Sequence, residues 1–138
     1  RDGYAKAILL SGHYPNRSQF IDKAVACYRE AGGTMAVLAL VENQADDVGG
    51  DHAAKYETSY MLYLHPGTVD RTALVCGKVA GAADPNVVVN WMGPEFVDHP
   101  CYGLVGIDPR VHASVEVGRC NTERLLSHLR TWLQGEGT

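Results

Sequence analysis

The hydrophobic residues near the start of the chain form two short runs. The first run covers residues 5–10 and is followed by Ser11 and Gly12, a pair typical of a tight turn. The second run covers residues 34–41. Apolar runs of this length indicate strands that are buried on both faces, as the strands of a parallel sheet are.

Between the two runs, apolar residues recur at the spacing of a helix. Asn16 can act as the N-cap, Gln19 lies at the capping-box position, and Gly32 follows the last residue of the pattern. We therefore predict a helix over residues 17–31. A strand, a helix and a second strand in this order form a β-α-β unit with a right-handed crossover, so the sequence predicts an α/β fold class.

Two further helical patterns lie later in the chain. The first opens at His52 and stops at residues 65–67, a His-Pro-Gly sequence. The second covers residues 111–133 and is preceded by Asp108 as a cap and by Pro109 in the first turn. We predict a helix for each pattern, and the second helix is the longer.

Glycine and proline break the pattern in the remaining part of the chain. We predict that residues 68–107 are mostly irregular, with candidate short strands at residues 74–76 and 87–89. Gly118 lies inside the last predicted helix and is expected to be a weak point there, because glycine has a low helix propensity.

Composition indicates a single globular domain over residues 1–138. The chain has 138 residues, of which 46% are hydrophobic and 20% charged, and these proportions are sufficient for one domain with a core. The net charge is -4 and the Lys and Arg residues are scattered singly, which argues against a nucleic-acid partner. No apolar run approaches the roughly 20 residues that a membrane span needs. We expect a soluble protein.

The cysteines and the first residues bear on where the protein works and whether the chain is whole. The four cysteines are widely spaced and form no C-x-x-C pair; they are Cys27, Cys76, Cys101 and Cys120. Free thiols in a reducing cytoplasm are the simplest interpretation. The chain begins with Arg-Asp-Gly, close to the first predicted strand and without a methionine. We therefore expect a piece of a longer protein.

Two histidines follow the ends of the two predicted strands. His13 comes directly after the first strand, and His52 comes after the loop that leaves the second strand. Ligands of parallel α/β sheets bind beyond the carboxyl ends of the strands, where these loops meet. A neutral imidazole can bind zinc or manganese and can also act as a general acid or base. Either histidine is therefore a candidate for either role.

Ordinary structural roles are open for the same residues. His13 can be a loop histidine that hydrogen-bonds to backbone, and Asp51 beside His52 can complement a helix dipole. Glu57 can be a solvated carboxylate on the helix. It lies five residues after His52, about 140° around a helix, so the two side chains are not expected to share a face.

Three segments of the chain, taken in order, contain known motifs. Residues 11–16 read Ser-Gly-His-Tyr-Pro-Asn, residues 51–62 contain His-Ala followed by Glu-Thr-Ser and Met-Leu, and residues 106–118 contain Asp-Pro-Arg, Ala-Ser and Glu-x-Gly. They resemble three segments of the creatininase (creatinine amidohydrolase) family. These are the N-G-H-G-G-N or N-G-H-Y-E-N segment, the H-A/G-G-x-x-E-T-S-x-M-L helix and the G-D-P-R-x-A-S-x-E-x-G stretch. The resemblance covers nearly the whole chain.

The resemblance implies α/β/α layers on a mainly parallel sheet and a site for two zinc or manganese ions. It implies hydrolysis of a C–N bond, usually in a cyclic amide, by metal-activated water. His13 would then be a metal ligand, and His52 would be the catalytic residue that carries a proton to the leaving nitrogen. Glu57 would be a metal ligand or the residue that orients one.

The resemblance also implies partners. The first half of the family's sequence supplies a Glu-x-His pair and a later Asp as metal ligands, and no such segment is present in these 138 residues. The other ligands would come from a missing N-terminal half or from a partner chain. The whole protein is expected to be a homo-oligomer that acts on a small-molecule substrate.

Two departures from the family pattern keep other functions open. Pro15 stands where members close to creatininase have a metal-binding Glu, and the loop before His52 lacks the tryptophans that enclose creatinine. Creatinine is therefore not the expected substrate. The alternatives are a catalytically silent α/β module for binding or oligomerisation, and a hydrolase of a cyclic ketone, lactone or formamide.

Overall fold

A computed structural model describes most of the chain, namely residues 3–45, 50–74 and 88–135. The chain divides into two compact units. We call residues 1–48 and 124–138 the N-terminal unit, and residues 49–123 the central unit. The single domain over residues 1–138 stays a prediction.

The N-terminal unit contains the β-α-β unit expected from the sequence. Strand β1 (Lys6–Ser11) pairs in parallel with strand β2 (Ala36–Val41), with Lys6 opposite Ala36 and Ser11 opposite Val41. The strands follow the two apolar runs, but the expected burial on both faces is wrong for β1, where Leu9 and Leu10 are 40% and 45% exposed. The α/β fold class with a parallel sheet is confirmed.

The helix between the strands begins differently from the prediction. A π-helical turn (Arg17–Ile21) leads into α1 (Asp22–Glu30), so the predicted range is correct to within a residue. Asn16 does not cap the helix with its side chain; its Nδ2 instead donates to Ser11 Oγ at 3.0 Å. The amide therefore stabilises the loop after β1, where His13 lies.

The central unit contains two helices, a two-stranded antiparallel sheet and the start of a long helix. These elements are α2 (Lys55–Leu64), β3 (Val89–Asn90), β4 (Val105–Gly106), α3 (Pro109–His112) and α4 (Val115–Gln134). β3 pairs with β4. Irregular structure around short strands was predicted for this region, and the candidate strand at residues 87–89 corresponds in part to β3. Residues 75–87, including part of both candidate strands, lie outside the described residues.

The long final helix of the prediction is two helices. Asp108 caps α3 as expected, but Ala113 is extended, with ψ at 138°, and the chain restarts at Ser114. The Ser114 hydroxyl accepts the Val117 N–H at 3.1 Å, the contact of a helix N-cap. His112 therefore lies in α3. Lys6 hydrogen-bonds to the C-terminal turn of α4: its Nζ donates to the carbonyls of residues 132 and 133 at 2.9 and 2.8 Å.

Gly118 is a point of close contact between α4 and α2, which the low helix propensity of glycine did not indicate. A Cβ on Gly118 would lie 1.9 Å from the Ser59 carbonyl oxygen, so only glycine fits. The fully buried Ser59 hydroxyl accepts the Ser114 N–H at 3.0 Å. The Ser and Gly positions of the recognised motifs therefore join the two helices.

A small hydrophobic core supports the central unit. It consists of Ala54, Cys101 and Leu104, with Trp91 among the residues packed against it. Trp91 stacks on His99, with ring centroids 4.1 Å apart and planes 8° from parallel. Among the described residues no helix has both the length and the apolar character needed to cross a membrane.

The cysteines differ from the expectation of four free thiols. Cys101 is disulfide-bonded and only 1% exposed. Cys27 and Cys120 are free. Cys76 lies outside the described residues. The wide spacing of the cysteines in sequence gave no indication of a bond, because a disulfide depends on distance in the fold.

Candidate functional site

His13 lies in the loop after β1, and its backbone is held while its ring is exposed. The Ser11 hydroxyl accepts the His13 N–H at 3.2 Å, and the Asn16 N–H donates to the His13 carbonyl at 3.1 Å. Within residues 3–45, 50–74 and 88–135 the imidazole makes no hydrogen bond or ion pair. The loop therefore presents a ring whose nitrogens are available to a ligand.

His52 precedes α2 and pairs with β4. Its N–H donates to the Val105 carbonyl at 2.7 Å, and its carbonyl accepts the Val105 N–H at 2.9 Å. The next residue, Ala53, has φ of 51°, which is the left-handed region that non-glycine residues rarely adopt. The bridge and this turn fix the backbone of His52, while 47% of its side chain remains exposed.

Glu57 lies beside His52, and the prediction that they would not share a face was wrong. Glu57 Oε2 is 3.7 Å from His52 Nδ1 and accepts the Ala53 N–H at 2.7 Å. The angular argument failed because α2 begins at Lys55, so His52 is not on the helix. The carboxylate instead reaches back over the first turn, as the Glu of a capping box does.

Asp51 holds the start of α2 from the other side. It is 5% exposed, and its two oxygens accept the N–H groups of Tyr56 and Glu57 at 2.5 and 3.1 Å. Gly106, with φ of 137°, allows this packing, because a Cβ there would lie 2.7 Å from Asp51 Cβ. The sequence suggested only a dipole effect for Asp51; the structure makes it the residue that anchors the backbone of Glu57.

Asp108 and Arg110 form a buried ion pair at the start of α3. Asp108 is 3% exposed, and its Oδ2 lies 2.7 Å from Arg110 Nη2. The hydrogen bonds from Arg110 lower the pKa of the Asp108 carboxyl below its ordinary value, although burial opposes this shift. The Asp-Pro-Arg motif therefore has a structural role in this chain.

This ion pair predicts a pH-dependent stability. Because the pKa of Asp108 is lowered on folding, its stabilisation is present above its unfolded value of 3.8 and is lost as the pH falls through the folded value. Asp108→Asn is expected to lower the free energy of unfolding by about 2 kcal/mol at pH 7 and by less at pH 3. Urea denaturation at both pH values measures the difference. The exposed Asp98→Asn serves as the control, and an Asp108→Asn effect that is equal at pH 7 and pH 3 would contradict the prediction.

A metal site would need several donors in one place. Zinc takes four ligands, of which three or four come from protein side chains. Within the described part of the chain, no three His, Cys, Asp or Glu side chains are gathered so that they could hold an ion. His13 belongs to the N-terminal unit, and His52 and Glu57 belong to the central unit. The described residues alone therefore do not form a complete metal site.

The parallel β-α-β unit, with a histidine loop at the end of β1, identifies the class as an α/β protein. A family model described as creatininase, creatinine amidohydrolase, matches residues 1–133. The chain belongs to the creatininase family. The resemblance that the three motifs indicated is thereby confirmed.

Solved structures agree with this family and differ from the chain in length. A creatininase (creatinine amidohydrolase) is 25% identical with a TM-score of 0.63, covering 97% of this chain and 57% of its own. A manganese creatininase is 25% identical with a TM-score of 0.58, covering 94% and 55%. A zinc–zinc mutant creatininase is 22% identical with a TM-score of 0.61, covering 97% and 57%. This chain thus spans little more than half of each. Curated protein sequences give no match.

Proposed function

We propose that the protein containing this chain is a metal-dependent hydrolase that cleaves the C–N bond of a cyclic amide or a related small molecule. The observation that carries the proposal is the pairing of His52 with Glu57, Nδ1 to Oε2 at 3.7 Å, in a member of the creatininase family. An exposed imidazole beside a fixed carboxylate is suited to proton transfer.

In this proposal His52 delivers a proton to the departing nitrogen. An amine leaves an amide readily only when it is protonated, so a positioned acid lowers the barrier. Glu57 faces Nδ1 and so orients the ring, which turns Nε2 away from the carboxylate and toward the substrate. Asp51 accepts the backbone N–H of Glu57 at 3.1 Å. This bond fixes the backbone of Glu57, whose carboxylate orients His52.

Metal binding is proposed for His13 and, as the less favoured of its two roles, for Glu57. Zinc and manganese are the proposed ions, and they would activate water and polarise the substrate carbonyl. Oε2 of Glu57 already accepts the Ala53 N–H, so its contacts favour the orienting role over that of a ligand. The remaining ligands are proposed to come from an N-terminal half or a partner chain, within a homo-oligomer.

Metal analysis of the whole protein tests the proposal. We expect purified wild-type protein to contain zinc or manganese, and His13→Ala to contain about one equivalent less, because a ligand is lost. The exposed His128→Ala is the control, since it removes an imidazole from α4. An unchanged metal content in His13→Ala would contradict the assignment. Hydrolysis assays with small lactams, lactones, cyclic ketones and formamides identify the substrate class.

A catalytically silent module is the second candidate. Pro15, which provides no carboxylate beside His13, and the lack of a three-donor group in the described ranges favour it. A whole protein that binds no metal and hydrolyses none of these substrates, yet assembles into an oligomer, would support this candidate.

A further inference from the structure

The central unit contains a cavity of about 260 Å³ next to the residue that follows His52. The cavity is lined near the start of α2 by Ala53 and Thr58. Elsewhere its lining includes Leu74, Pro109, one carboxylate and two arginines, namely Asp70, Arg71 and Arg110. Apart from the arginines these side chains are mostly apolar. A cavity of this size with a few polar groups is suited to a small molecule rather than to a polypeptide.

One of the two arginines is already neutralised. Arg110 donates to both oxygens of the buried Asp108, with Nη2 at 2.7 Å from Oδ2 and Nε at 3.1 Å from Oδ1. A two-point contact of this kind satisfies the charge on both sides. Arg110 therefore contributes little net charge to the cavity.

The carboxylate in the cavity wall does not neutralise the second arginine. Asp70 accepts the Thr72 N–H at 2.9 Å and the Thr72 hydroxyl at 2.6 Å, through the same oxygen. Among the described residues Asp70 forms no ion pair with Arg71.

Arg71 has no ion-pair partner among the described residues, so its charge is available to a ligand. Its Nη2 donates to the Arg110 carbonyl oxygen, which holds the guanidinium against the cavity. Within the described ranges its other N–H groups have no partner. A guanidinium presents several donors in a plane and binds a carboxylate through two of them.

We infer that this cavity binds a small molecule carrying a carboxylate, and that Arg71 recognises that group. The inference rests on the proposed function, because the ligand would be the substrate whose leaving nitrogen His52 protonates. Ala53 connects the cavity to the proposed proton donor. It lines the cavity, it follows His52 in sequence, and its N–H donates to the Glu57 carboxylate. The expected substrate class is therefore a small cyclic amide with an acid group.

The test compares two ligands that differ only in charge. A five-membered lactam with a ring carboxylate and the same lactam with a carboxamide are titrated into the whole protein by calorimetry. Wild type is expected to bind the acid at least about tenfold more tightly than the amide, as a charged hydrogen bond allows. Arg71→Gln is expected to abolish this preference, and Arg71→Lys to retain part of it, because a point charge remains without the planar donors.

A matched control and the opposite results complete the experiment. Arg130→Gln removes an exposed arginine from α4 and is expected to retain the full preference. Equal binding of the two lactams to wild type, or a preference that survives in Arg71→Gln, would overturn the inference. A protein that prefers the acid lactam but hydrolyses neither lactam supports the binding inference and contradicts the proposed hydrolysis.

Discussion

Gly118→Ala is expected to lower the free energy of unfolding by about 3 kcal/mol or more. The added Cβ would lie 1.9 Å from the carbonyl oxygen of Ser59 and 2.6 Å from its carbonyl carbon. Both are backbone atoms of α2, so no side-chain rotation can relieve the contact. The helices must move apart, which also breaks the bond between the Ser114 N–H and the Ser59 hydroxyl. Urea denaturation of wild type and variant measures the loss.

Gly67→Ala is the matched control for this substitution. A Cβ on Gly67 meets nothing within 4 Å, and the residue has no left-handed backbone conformation. Its effect is expected to stay within about 0.5 kcal/mol, as for ordinary surface positions. Equal effects of the two substitutions would show that the contact between α2 and α4 is not tight.

His52→Gln is expected to reduce the rate of amide hydrolysis by the whole protein by a factor of about 10² to 10⁴, which is the usual contribution of a general acid. The effect should fall on kcat, because the proton is transferred in the transition state. Stability should change little, since the side chain is 47% exposed. Steady-state kinetics on the substrate found by screening measures the loss.

Two comparisons make the His52 result specific. His128→Gln removes an exposed imidazole from α4 and is expected to leave kcat unchanged. Glu57→Gln keeps the shape of the side chain that faces His52 and is expected to cause a smaller loss than His52→Gln. A His52→Gln protein with wild-type kcat would remove His52 from the mechanism.

The β-α-β unit could be predicted from the sequence because its signals are local. The apolar runs correspond to β1 and β2, and Gly32, with φ of 80°, follows the helix where the helical pattern was expected to stop. Patterns of this kind depend on a few neighbouring residues, and no distant contact overrides them.

Helix boundaries later in the chain could not be predicted in the same way. His52 was expected to open a helix, but its pairing with Val105, fifty-three positions later in the sequence, takes its backbone into a bridge. Ser114 divides the final helix by capping α4, a signal that was present as a serine before Val-Glu-Val. The close contact at Gly118 could not be predicted, because helix propensity says nothing about the neighbouring helix.

The residues of the candidate site show the same difference between local sequence signals and contacts with distant residues. Family motifs brought His13, His52 and Glu57 forward, whereas local spacing separated His52 from Glu57. The sequence indicated only a dipole effect for Asp51 and no role for Arg71, whose contact with Arg110 joins residues 39 positions apart. Roles for His13 and Glu57 in metal binding stay predictions.

The disulfide at Cys101 makes oxidation state a variable of the protein. Cys101 packs with Ala54, two residues after His52, and with Leu104, which precedes the bridge partner Val105. Protein prepared with strong reductant would lack a covalent bond close to the residues that position His52. The activities of two preparations should therefore be compared under the same redox condition.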